Sequence, residues 1–431
     1  MTSASLLLCH RLPYPPNKGD KIRSYELLKH LAARGPVHLA CFIDDPGDLK
    51  YRDEVARLAG GKCIFVPIGR LTKWSRAAQA LLSGQPVTTA YFASPKIHRW
   101  VSEVLASEPV ERTIVFGSAM APYLMHDRAR AGSVLFDMVD VDSDKWRQYA
   151  TWSTGFMRWI YAREARTVAA LERAAAAVFG KTLLVSEYEA ETFRQMAPES
   201  AARIGVLGNG VDLARFSPGA FKSPFPSGEA AVVMTGHMDY RPNADGALWF
   251  AREVAPHLFA SLSNAHVYFV GSNPPPALRK VQSPRITVTG MVDDVRPYIQ
   301  GAASVVAPLL IARGVQNKVL EAMAMGKPVV ATHEATRALD VHSGRELFIE
   351  SDPRRFADAV AAAIENPLRD TIARNARQYV EQNHDWKTIM SSLDDLLDQL
   401  ARDSRPRSPA TIRPLVVDTG ACKPDFTGAK A

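Results

Sequence analysis

The sequence predicts an α/β protein of two domains, each built on a parallel sheet with helices on both faces. Short apolar runs alternate with helical patterns along almost the whole chain, as in SLLLC (5–9) followed by KIRSYELLKHLAA (21–33). Strand, helix, strand in repetition is typical of parallel sheets. A stretch rich in Pro, Ser and Gly (216–229) interrupts the series, which then restarts. We therefore expect two Rossmann-like domains joined near 208–229.

The candidate strands are the short apolar runs. In the first half they are 5–9, 37–42, 63–67, 113–116, 133–136, 183–186 and 204–207. In the second half they are 231–235, 266–270, 286–289, 304–308 and 328–331. Helical periodicity is clear in 243–258 and again in 353–401, where Asp352 is expected to cap a helix that starts at Pro353.

Composition and charge restrict the class of protein. At 431 residues, with 47% apolar and 23% charged residues, the chain is long enough for two globular domains. No apolar run is long enough to span a bilayer and the N-terminus lacks a basic leader, so we expect a cytoplasmic location. The net charge of +7 comes without a dense Lys/Arg block or a nucleic-acid-binding motif. This favours an anionic membrane surface or an anionic small substrate over nucleic acid.

Strand-to-helix junctions are the candidate binding loops, because ligands of open parallel sheets bind beyond the carboxyl ends of the strands. The first junction, LPYPPNKGDKIRS (12–24), combines Gly19, which permits close backbone approach, with Lys18, Lys21 and Arg23. Such a loop can hold a phosphate or a phosphosugar. The alternative is a solvated loop whose charges only begin a helix.

A second junction, TGHMDYRPNADG (235–246), opens the other half of the chain. Gly236 directly after a strand allows a ligand close to the backbone, and Arg241 is placed to reach a diphosphate. A simple turn with Arg241 in solvent explains the pattern equally well. In a third junction, GMVDDVRPYIQ (290–300), an apolar lip precedes a helix expected near Asp294 and can hold a nucleobase edge; a plain capped helix start is the alternative.

The fourth junction is RGVQNKVLEAMAMGKPVVAT (313–332). It turns into a helix near Asn317 whose first-turn amides are available to an anion. Lys318 adds positive charge, and Glu321 is placed to accept paired hydrogen bonds from a ribose diol. A carboxylate near a helix start is favourable by itself, by about 0.3–1 kcal/mol, so a purely stabilising role for Glu321 is the alternative.

Two further segments of the first half carry functional patterns. DMVDVDSDKWRQY (137–149) clusters four aspartates, including Asp140, behind a strand. Its spacing is not that of a calcium loop, so we favour contacts with sugar hydroxyls over metal binding, with an acidic helix start as the alternative. Between Lys145 and Arg173, aromatic residues interleave with arginines. This suits a membrane interface or a stacked partner, whereas core packing of one helix face is the commoner origin.

Several of these segments resemble a known enzyme family. NGVDLARFSP (209–218) and VLEAMAMGKPVVAT (319–332) are similar to the retaining glycosyltransferases of family 4, which have the GT-B fold. LPYPPNKGDKIRSYELLKHLA (12–32), FDMVDVDSDKW (136–146) and MDYRPNADGALWFAREVAP (238–256) look like the sugar transferases associated with PEP-CTERM/exosortase exopolysaccharide loci. The resemblance extends over about residues 5–400.

The resemblance implies two Rossmann-like domains that face each other across a cleft. The acceptor-binding domain would span 1–208, the nucleotide-sugar-binding domain 209–385, and a helix at 386–403 would cross back onto the first domain. Residues 404–431, with four prolines and no clear periodicity, are expected to be a mostly disordered tail.

The resemblance also assigns roles to residues. A nucleotide-diphosphate sugar would be the co-substrate, with no metal or other cofactor. Glu321 matches the glutamate that holds the donor ribose. The donor site is then expected to comprise Gly236, Gly290, Met291, Val292, Arg313, Gly314, Val315, Gln316, Asn317 and Glu321. The acceptor side of the cleft is expected to comprise Lys18, Gly19, Arg23 and Asp140.

Two departures from the family pattern concern charged positions. Arg313 stands where a glutamate is usual, so a donor sugar with an anionic group is expected if this arginine faces the donor. The arginine and lysine that usually follow the first strand of the second domain are absent, and His237 and Asn243 stand near their places. Arg241 and Lys318 are therefore predicted to be the catalytic cations that stabilise the leaving diphosphate.

The resulting hypothesis is a retaining glycosyltransferase that extends a glycan or polyprenyl-diphosphate-linked acceptor in exopolysaccharide biosynthesis. We expect it to work in the cytoplasm, with contact to the inner face of the cytoplasmic membrane as a further expectation. The alternatives are a nucleotide-sugar 2-epimerase-like enzyme of the same fold and a non-catalytic nucleotide-sugar-binding protein, the latter because of Arg313.

Overall fold

The computed structural model describes residues 4–125, 131–219 and 221–404. Within these ranges, each half of the chain forms one sheet of parallel strands flanked by helices, so the predicted α/β fold with two Rossmann-like domains is confirmed. The predicted disordered tail lies outside the described residues, apart from Ser404, which ends the last helix.

The first domain contains seven strands and eight α-helices in its described part. The strands are β1 (Ala4–Cys9), β2 (Val37–Ile43), β3 (Gly60–Pro67), β4 (Val110–Phe116), β5 (Ser133–Val139), β6 (Lys181–Leu184) and β7 (Ile204–Val206). The helices are α1 (Gly19–Ala32), α2 (Arg52–Ala59), α3 (Arg70–Ser83), α4 (Val87–Tyr91), α5 (Pro95–Ser107), α6 (Asp142–Thr151), α7 (Gly155–Val178) and α8 (Glu187–Met196). The strand order is β3-β2-β1-β4-β5-β6-β7.

The central strand β1 shows why an unbroken apolar run forms this sheet. All its residues are buried, and Leu7 pairs with Leu39 of β2 on one side and Ile114 of β4 on the other. Side chains alternate between faces, so Leu6 and Leu8 enter one hydrophobic core and Leu7 enters the other. A strand with a core on each face must be apolar at every position.

The second domain repeats the design with six strands. They are β8 (Ala230–Thr235), β9 (Ala265–Val270), β10 (Ile286–Gly290), β11 (Ser304–Ala307), β12 (Val329–Ala331) and β13 (Phe348–Ile349), in the order β10-β9-β8-β11-β12-β13. The helices are α9 (Arg241–Trp249), α10 (Ala255–Ser261), α11 (Pro276–Arg279), α12 (Arg296–Gly301), α13 (Asn317–Ala324), α14 (His333–Thr336), α15 (Pro353–Glu365), α16 (Arg369–Asn383) and α17 (Trp386–Ser404).

Some boundaries differ from the sequence-based expectation for local reasons. The helix expected near Asp294 starts at Arg296, because the Asp294 carboxylate accepts the Arg296 amide (2.9 Å) and Pro297 needs no amide acceptor. The cap predicted at Asp352 is confirmed by its bond from the Arg355 amide (3.0 Å). The edge strand β13 was not predicted, because two residues carry no periodicity.

The last helix belongs to the core of the first domain, although it follows the second domain in the chain. Its apolar face places Trp386, Leu393 and Leu397 in the same hydrophobic cluster as Leu7 and Leu27. A Cβ on Gly210 of the interdomain segment would lie 2.6 Å from the Trp386 ring, so a glycine allows the chain to pass this indole. Helix α17 therefore crosses back over the domain junction.

Candidate active-site cleft

Loops that follow the carboxyl ends of strands in the two domains contact each other. After β1, the carbonyl of Asn17 lies 2.8 Å from Nε2 of His237, which follows β8. A Cβ on Gly19 would lie 3.6 Å from Nδ2 of Asn317, the first residue of α13. Arg313, between β11 and α13, reaches carboxylates of the first domain. These contacts define a cleft between the two sheets.

Three glycine turns stack at the second domain's side of this cleft. The Gly236 amide donates to the Val270 carbonyl (3.0 Å), and the Gly271 amide donates to the Gly290 carbonyl (3.1 Å). A Cβ on Gly271 would clash with the Gly236 backbone, so only glycine allows this packing. Met291, which follows Gly290, is an exposed apolar side chain. The structure thus brings the predicted base-binding lip beside the predicted diphosphate turn.

The side chain of Lys318 reaches the Gly236 turn from α13. A Cβ on Gly236 would lie 3.3 Å from Nζ of Lys318 and 2.8 Å from Nδ2 of Asn243. Asn243 accepts a hydrogen bond from Lys318 through Oδ1 and donates one to the His237 carbonyl (2.8 Å) through Nδ2. The Asn243 side chain thereby fixes the ammonium against the backbone of the Gly236 turn.

Burial shifts the pKa values of both charged residues on α13. It lowers the pKa of Lys318 to about 8, against the attraction of Glu321. It raises the pKa of Glu321 to about 7, against the attraction of Arg215 and Lys318. The half-buried ammonium of Lys318 has a neutral amide as its hydrogen-bond partner, so a bound anion would restore electrostatic stabilisation that the ammonium loses on partly leaving water.

The start of α13 is open to a ligand. Gln316, at the N-cap, makes no capping hydrogen bond through its side chain, because its amide group donates to the Arg313 carbonyl (2.8 Å). The Oδ1 atom of Asn317 is buried without a hydrogen-bond partner among the described residues. Gly314 has a φ of +58°, and a Cβ there would clash with the Asp140 carboxylate. Free backbone amides at a helix start suit an anionic ligand, whereas the Asn317 Oδ1 atom, as an acceptor, suits a ligand hydroxyl.

Arg313 points into the first domain. Its side chain is 4% exposed and forms ion pairs with Asp144 and with Glu189, the latter at 3.1 Å. Burial lowers the pKa of the Arg313 guanidinium to about 10. The guanidinium therefore links the two domains beside the cleft, and its contact with a donor stays a prediction.

Arg241 lies at the edge of this arrangement. Its side chain is 54% exposed and pairs with Asp245 at 3.2 Å, one turn further along α9. It lines a small crevice with Tyr149 and Trp152 of the first domain. Lys318, not Arg241, is the cation at the Gly236 turn, and the role of Arg241 at the diphosphate stays a prediction.

Some positive side chains that follow β1 form buried ion pairs, and others are exposed near the cleft. Arg23 is fully buried, donates twice to Asp137 (2.7 and 2.9 Å) and once to the Gly208 carbonyl (2.7 Å). The expectation that Arg23 lines the acceptor side is therefore wrong, because its guanidinium is occupied by the domain junction. Lys21 is likewise buried and paired with Asp48. Lys18 and Gly19 remain exposed where the loop meets α13.

Sequence reasoning missed two groups on the first domain's side of the cleft, His10 and Lys145. His10 directly follows β1, and its ring packs on Phe116 (centroids 5.6 Å apart) while Nε2 lies 3.2 Å from Asp20. Lys145 pairs with Asp142 at 2.7 Å, one turn into α6. Position at the carboxyl end of β1 was a signal that could have identified His10; Lys145 gave no such signal.

The first domain also holds buried carboxyl groups with raised pKa values. Burial and the charge of Asp142 raise the pKa of Asp140 to about 6. Burial and Asp140 raise that of Glu189 to about 7, and burial and Asp142 raise that of Glu172 to about 8. In the described part of the chain, no group of three or more His, Cys, Asp or Glu side chains is arranged to hold a metal ion.

Residues 229–366 match the family model of glycosyl transferases group 1. This part of the chain is similar to the sugar-transferring domains that the family model describes. It contains the Gly236 turn, the Gly290 lip and the whole of α13, so the cluster around Lys318 lies inside the matched region. No curated protein sequence matches the chain.

Solved structures share the fold over nearly the full length. Sucrose-phosphate synthase from Thermosynechococcus elongatus is 18% identical, with a TM-score of 0.71 over 93% of this chain and 100% of that one. Anabaena HepE, solved in complex with UDP and glucose, is 15% identical, with a TM-score of 0.67 over 92% and 100%. A glycosyltransferase from Rickettsia africae is 13% identical, with a TM-score of 0.64 over 94% and 100%. The fold is therefore GT-B.

Proposed function

We propose that the protein is a retaining glycosyltransferase that moves a sugar from a nucleotide-diphosphate sugar to a glycan or lipid-linked glycan acceptor. The observation that carries the proposal is the half-buried ammonium of Lys318, held by Asn243 at the Gly236 turn inside the region that matches the group 1 family model. HepE, which shares this fold, was solved in complex with UDP and glucose. A nucleotide and a sugar are the class of ligand that we expect here.

The donor would lie along the second domain's side of the cleft. Its base would meet the lip at Gly290–Val292, and its ribose diol would donate to the Glu321 carboxylate. Its diphosphate would then sit between the Gly236 turn and the start of α13, where Lys318 and the first-turn amides supply positive charge. Arg241 is proposed as a second cation that approaches the diphosphate when the donor binds.

Transfer with retention would need no protein nucleophile. As the bond between the sugar and the diphosphate breaks, negative charge grows on the leaving oxygen, which Lys318 stabilises more strongly than in the ground state. The acceptor hydroxyl attacks the same face of the sugar and its proton passes to the departing diphosphate. No metal or other cofactor enters this scheme.

The acceptor would occupy the first domain's side, near Lys18, Gly19 and Asp140. We propose a glycan or polyprenyl-diphosphate-linked acceptor and a place in exopolysaccharide biosynthesis, since the first-domain segments resemble enzymes of that class. Within the described ranges, no helix is both long and apolar enough to cross a membrane. We propose that the protein would contact a lipid-linked acceptor at the cytoplasmic face of the membrane.

The test is nucleotide release from UDP-, GDP- and ADP-sugars, with and without oligosaccharide and polyprenyl-diphosphate-sugar acceptors. We expect one donor to be consumed with formation of a glycoside of unchanged anomeric configuration. Formation of an epimerised sugar without any acceptor would replace the proposal with the 2-epimerase reaction. Tight donor binding without turnover on any acceptor would replace it with a non-catalytic binding role.

A further inference from the structure

A groove outside the cleft runs between α6 and α7 of the first domain. It encloses about 570 Å³ and its apolar floor is formed by small side chains, among them Ala150, Ala162, Ala165 and Ala169. Helices α6 and α7 form an antiparallel hairpin, and Gly155, with a φ of +57°, makes the turn into α7. The groove therefore opens beside the exposed start of α7.

Three arginines line this groove. Arg147 pairs with the Asp144 carboxylate through Nε (2.7 Å), and that carboxylate also contacts Arg313. Arg158 and Arg166 make no ion pair with any carboxylate of the described residues. Because Asp144 is the only acidic residue lining the groove and is already shared by two arginines, the groove carries an excess of positive charge. Its chemistry fits an anionic headgroup.

Large apolar side chains project into solvent next to these arginines. Trp152 is 57% exposed, Phe156 69% and Trp159 52%, and the rings of Phe156 and Trp159 stack with centroids 5.8 Å apart. Phe156 and Trp159 lie three residues apart near the start of α7, and Arg158 lies between them in the sequence. Exposed large apolar side chains that pack against each other, as Phe156 and Trp159 do, mark a binding surface.

We propose that the tip of the α6–α7 hairpin is a docking surface for a bilayer containing anionic phospholipids. Arg158 and Arg166 bind lipid phosphates at the groove, while Phe156 and Trp159 insert among the headgroups. Aromatic rings beside guanidinium groups match the apolar-to-polar gradient and the negative charge of such a surface, and the net charge of +7 adds attraction. This rests on the proposed function, because docking here brings a lipid-linked acceptor next to the cleft.

The surface is connected to the catalytic cleft through Asp144. One oxygen of its carboxylate accepts from Arg147 at the groove, and the other faces Arg313 at the domain interface. The groove and the cleft therefore share a wall. If the hairpin binds a bilayer, the first domain's side of the cleft would face the membrane. A lipid-linked acceptor anchored in that membrane could then reach the cleft.

The test is flotation of the full chain with vesicles of phosphatidylcholine alone or mixed with phosphatidylglycerol, in the absence of any sugar donor. We expect binding to the mixed vesicles that weakens as salt is added. Arg158→Gln/Arg166→Gln should weaken it about 25-fold, since each basic side chain at an anionic surface contributes about fivefold. Phe156→Ser/Trp159→Ser should also weaken binding. This loss should depend less on the salt concentration than the loss caused by the arginine substitutions.

Matched controls lie on the second domain. Arg354→Gln/Arg355→Gln on α15 and Leu368→Ser before α16 replace exposed residues of the same chemistry, and should bind vesicles like the unchanged chain. Equal thermal midpoints would show that every variant is folded. Absence of binding to mixed vesicles, or equal loss in the control variants, overturns the docking surface.

The outcomes separate docking from catalysis. Turnover on a water-soluble acceptor without vesicle binding overturns the docking surface and leaves the proposed function in place. Vesicle binding that depends on Arg158 and Arg166 supports the surface even where no sugar donor is consumed, and in that case it is the proposed function that fails.

Discussion

At the scale of single residues, Lys318 is the group on which the proposed chemistry depends most. It is the cation that the structure places at the Gly236 turn, with Asn243 fixing its direction. We expect Lys318→Ala to lower kcat by about 10²–10³-fold, as for removal of one group that stabilises transition-state charge. Arg241→Ala should lower kcat less than Lys318→Ala does, because the Arg241 side chain is exposed and paired with Asp245. Steady-state kinetics of both variants tests the order; a larger loss for Arg241→Ala contradicts it.

The pH dependence of donor use follows from the two charged residues of α13. Diphosphate binding needs the Lys318 ammonium, whose pKa is lowered to about 8, so kcat/KM should fall as pH rises through that value. Ribose binding needs the Glu321 carboxylate, whose pKa is raised to about 7, so kcat/KM should fall as pH drops below it. A bell-shaped profile is expected. Glu321→Gln should remove the acidic limb and Lys318→Arg should move the alkaline limb upward; unchanged limbs would exclude these assignments.

Arg313 connects the residue scale to the stability of the domain interface. Arg313→Ala leaves Glu189 buried without its cation and leaves Asp144 with Arg147 alone; removal of one partner of a buried ion pair typically costs about 3–5 kcal/mol. Burial raises the pKa of Glu189 to about 7, so the loss should be larger above pH 7, where this carboxyl is ionised, than below it. Thermal unfolding across that range measures the effect.

The control for Arg313 is an exposed ion pair of the same type. Arg173 pairs with Glu199 at 3.0 Å on the surface of the first domain, and Arg173→Ala should leave the midpoint nearly unchanged at either pH. Equal effects of the two substitutions would show that Arg313 adds no interdomain stabilisation.

At the scale of elements, α17 ties the end of the chain to the first domain. Leu393 is fully buried in the cluster that contains Leu7 and Leu27, so Leu393→Ala should destabilise the protein by about 2–5 kcal/mol. Gln399 lies on the exposed face of the same helix, and Gln399→Ala is the matched control. Denaturant unfolding compares them. A similar small effect for both would mean that the helix is not part of the core.

The elements also show how far the sequence pattern reaches. The unbroken run at β1 and the capped start of α15 were predictable, because burial on two faces and N-capping leave direct marks on composition. The two-residue strand β13 was not, and the start of α12 was placed too early. The neighbouring strand β12 supplies the partner of β13, and Pro297 fixes the start of α12. Neither effect produces a periodic pattern in the local sequence.

At the scale of the whole molecule, donor binding should stabilise the second domain and the interface together. A nucleotide-diphosphate sugar at 100 times its Kd would add about 2.7 kcal/mol to the folded state. We expect a rise in the melting midpoint with the true donor that Lys318→Ala abolishes and that the free sugar does not reproduce. A rise that persists in Lys318→Ala would place the ligand elsewhere.

The sequence by itself determined the fold and the neighbourhood of the site. Apolar runs at the strands and glycines at the turns depend on local burial and backbone geometry, so Gly236, Gly314 and the start of α13 could be identified from the chain alone. The anion binding expected at these residues follows from the same local rules for helix starts and glycine turns, and it stays a prediction.

The tertiary structure decided which charges serve that site. Lys318 and Asn243 are 75 residues apart, and Arg23 and Asp137 are 114 apart, yet each pair is in hydrogen-bond contact. An arginine or lysine in a loop pattern looks the same whether it meets a ligand, a buried carboxylate or water. Only the folded arrangement separates Lys318 at the turn from Arg23 in the junction and Arg313 in the interface, because long-range pairing fixes where each long side chain ends.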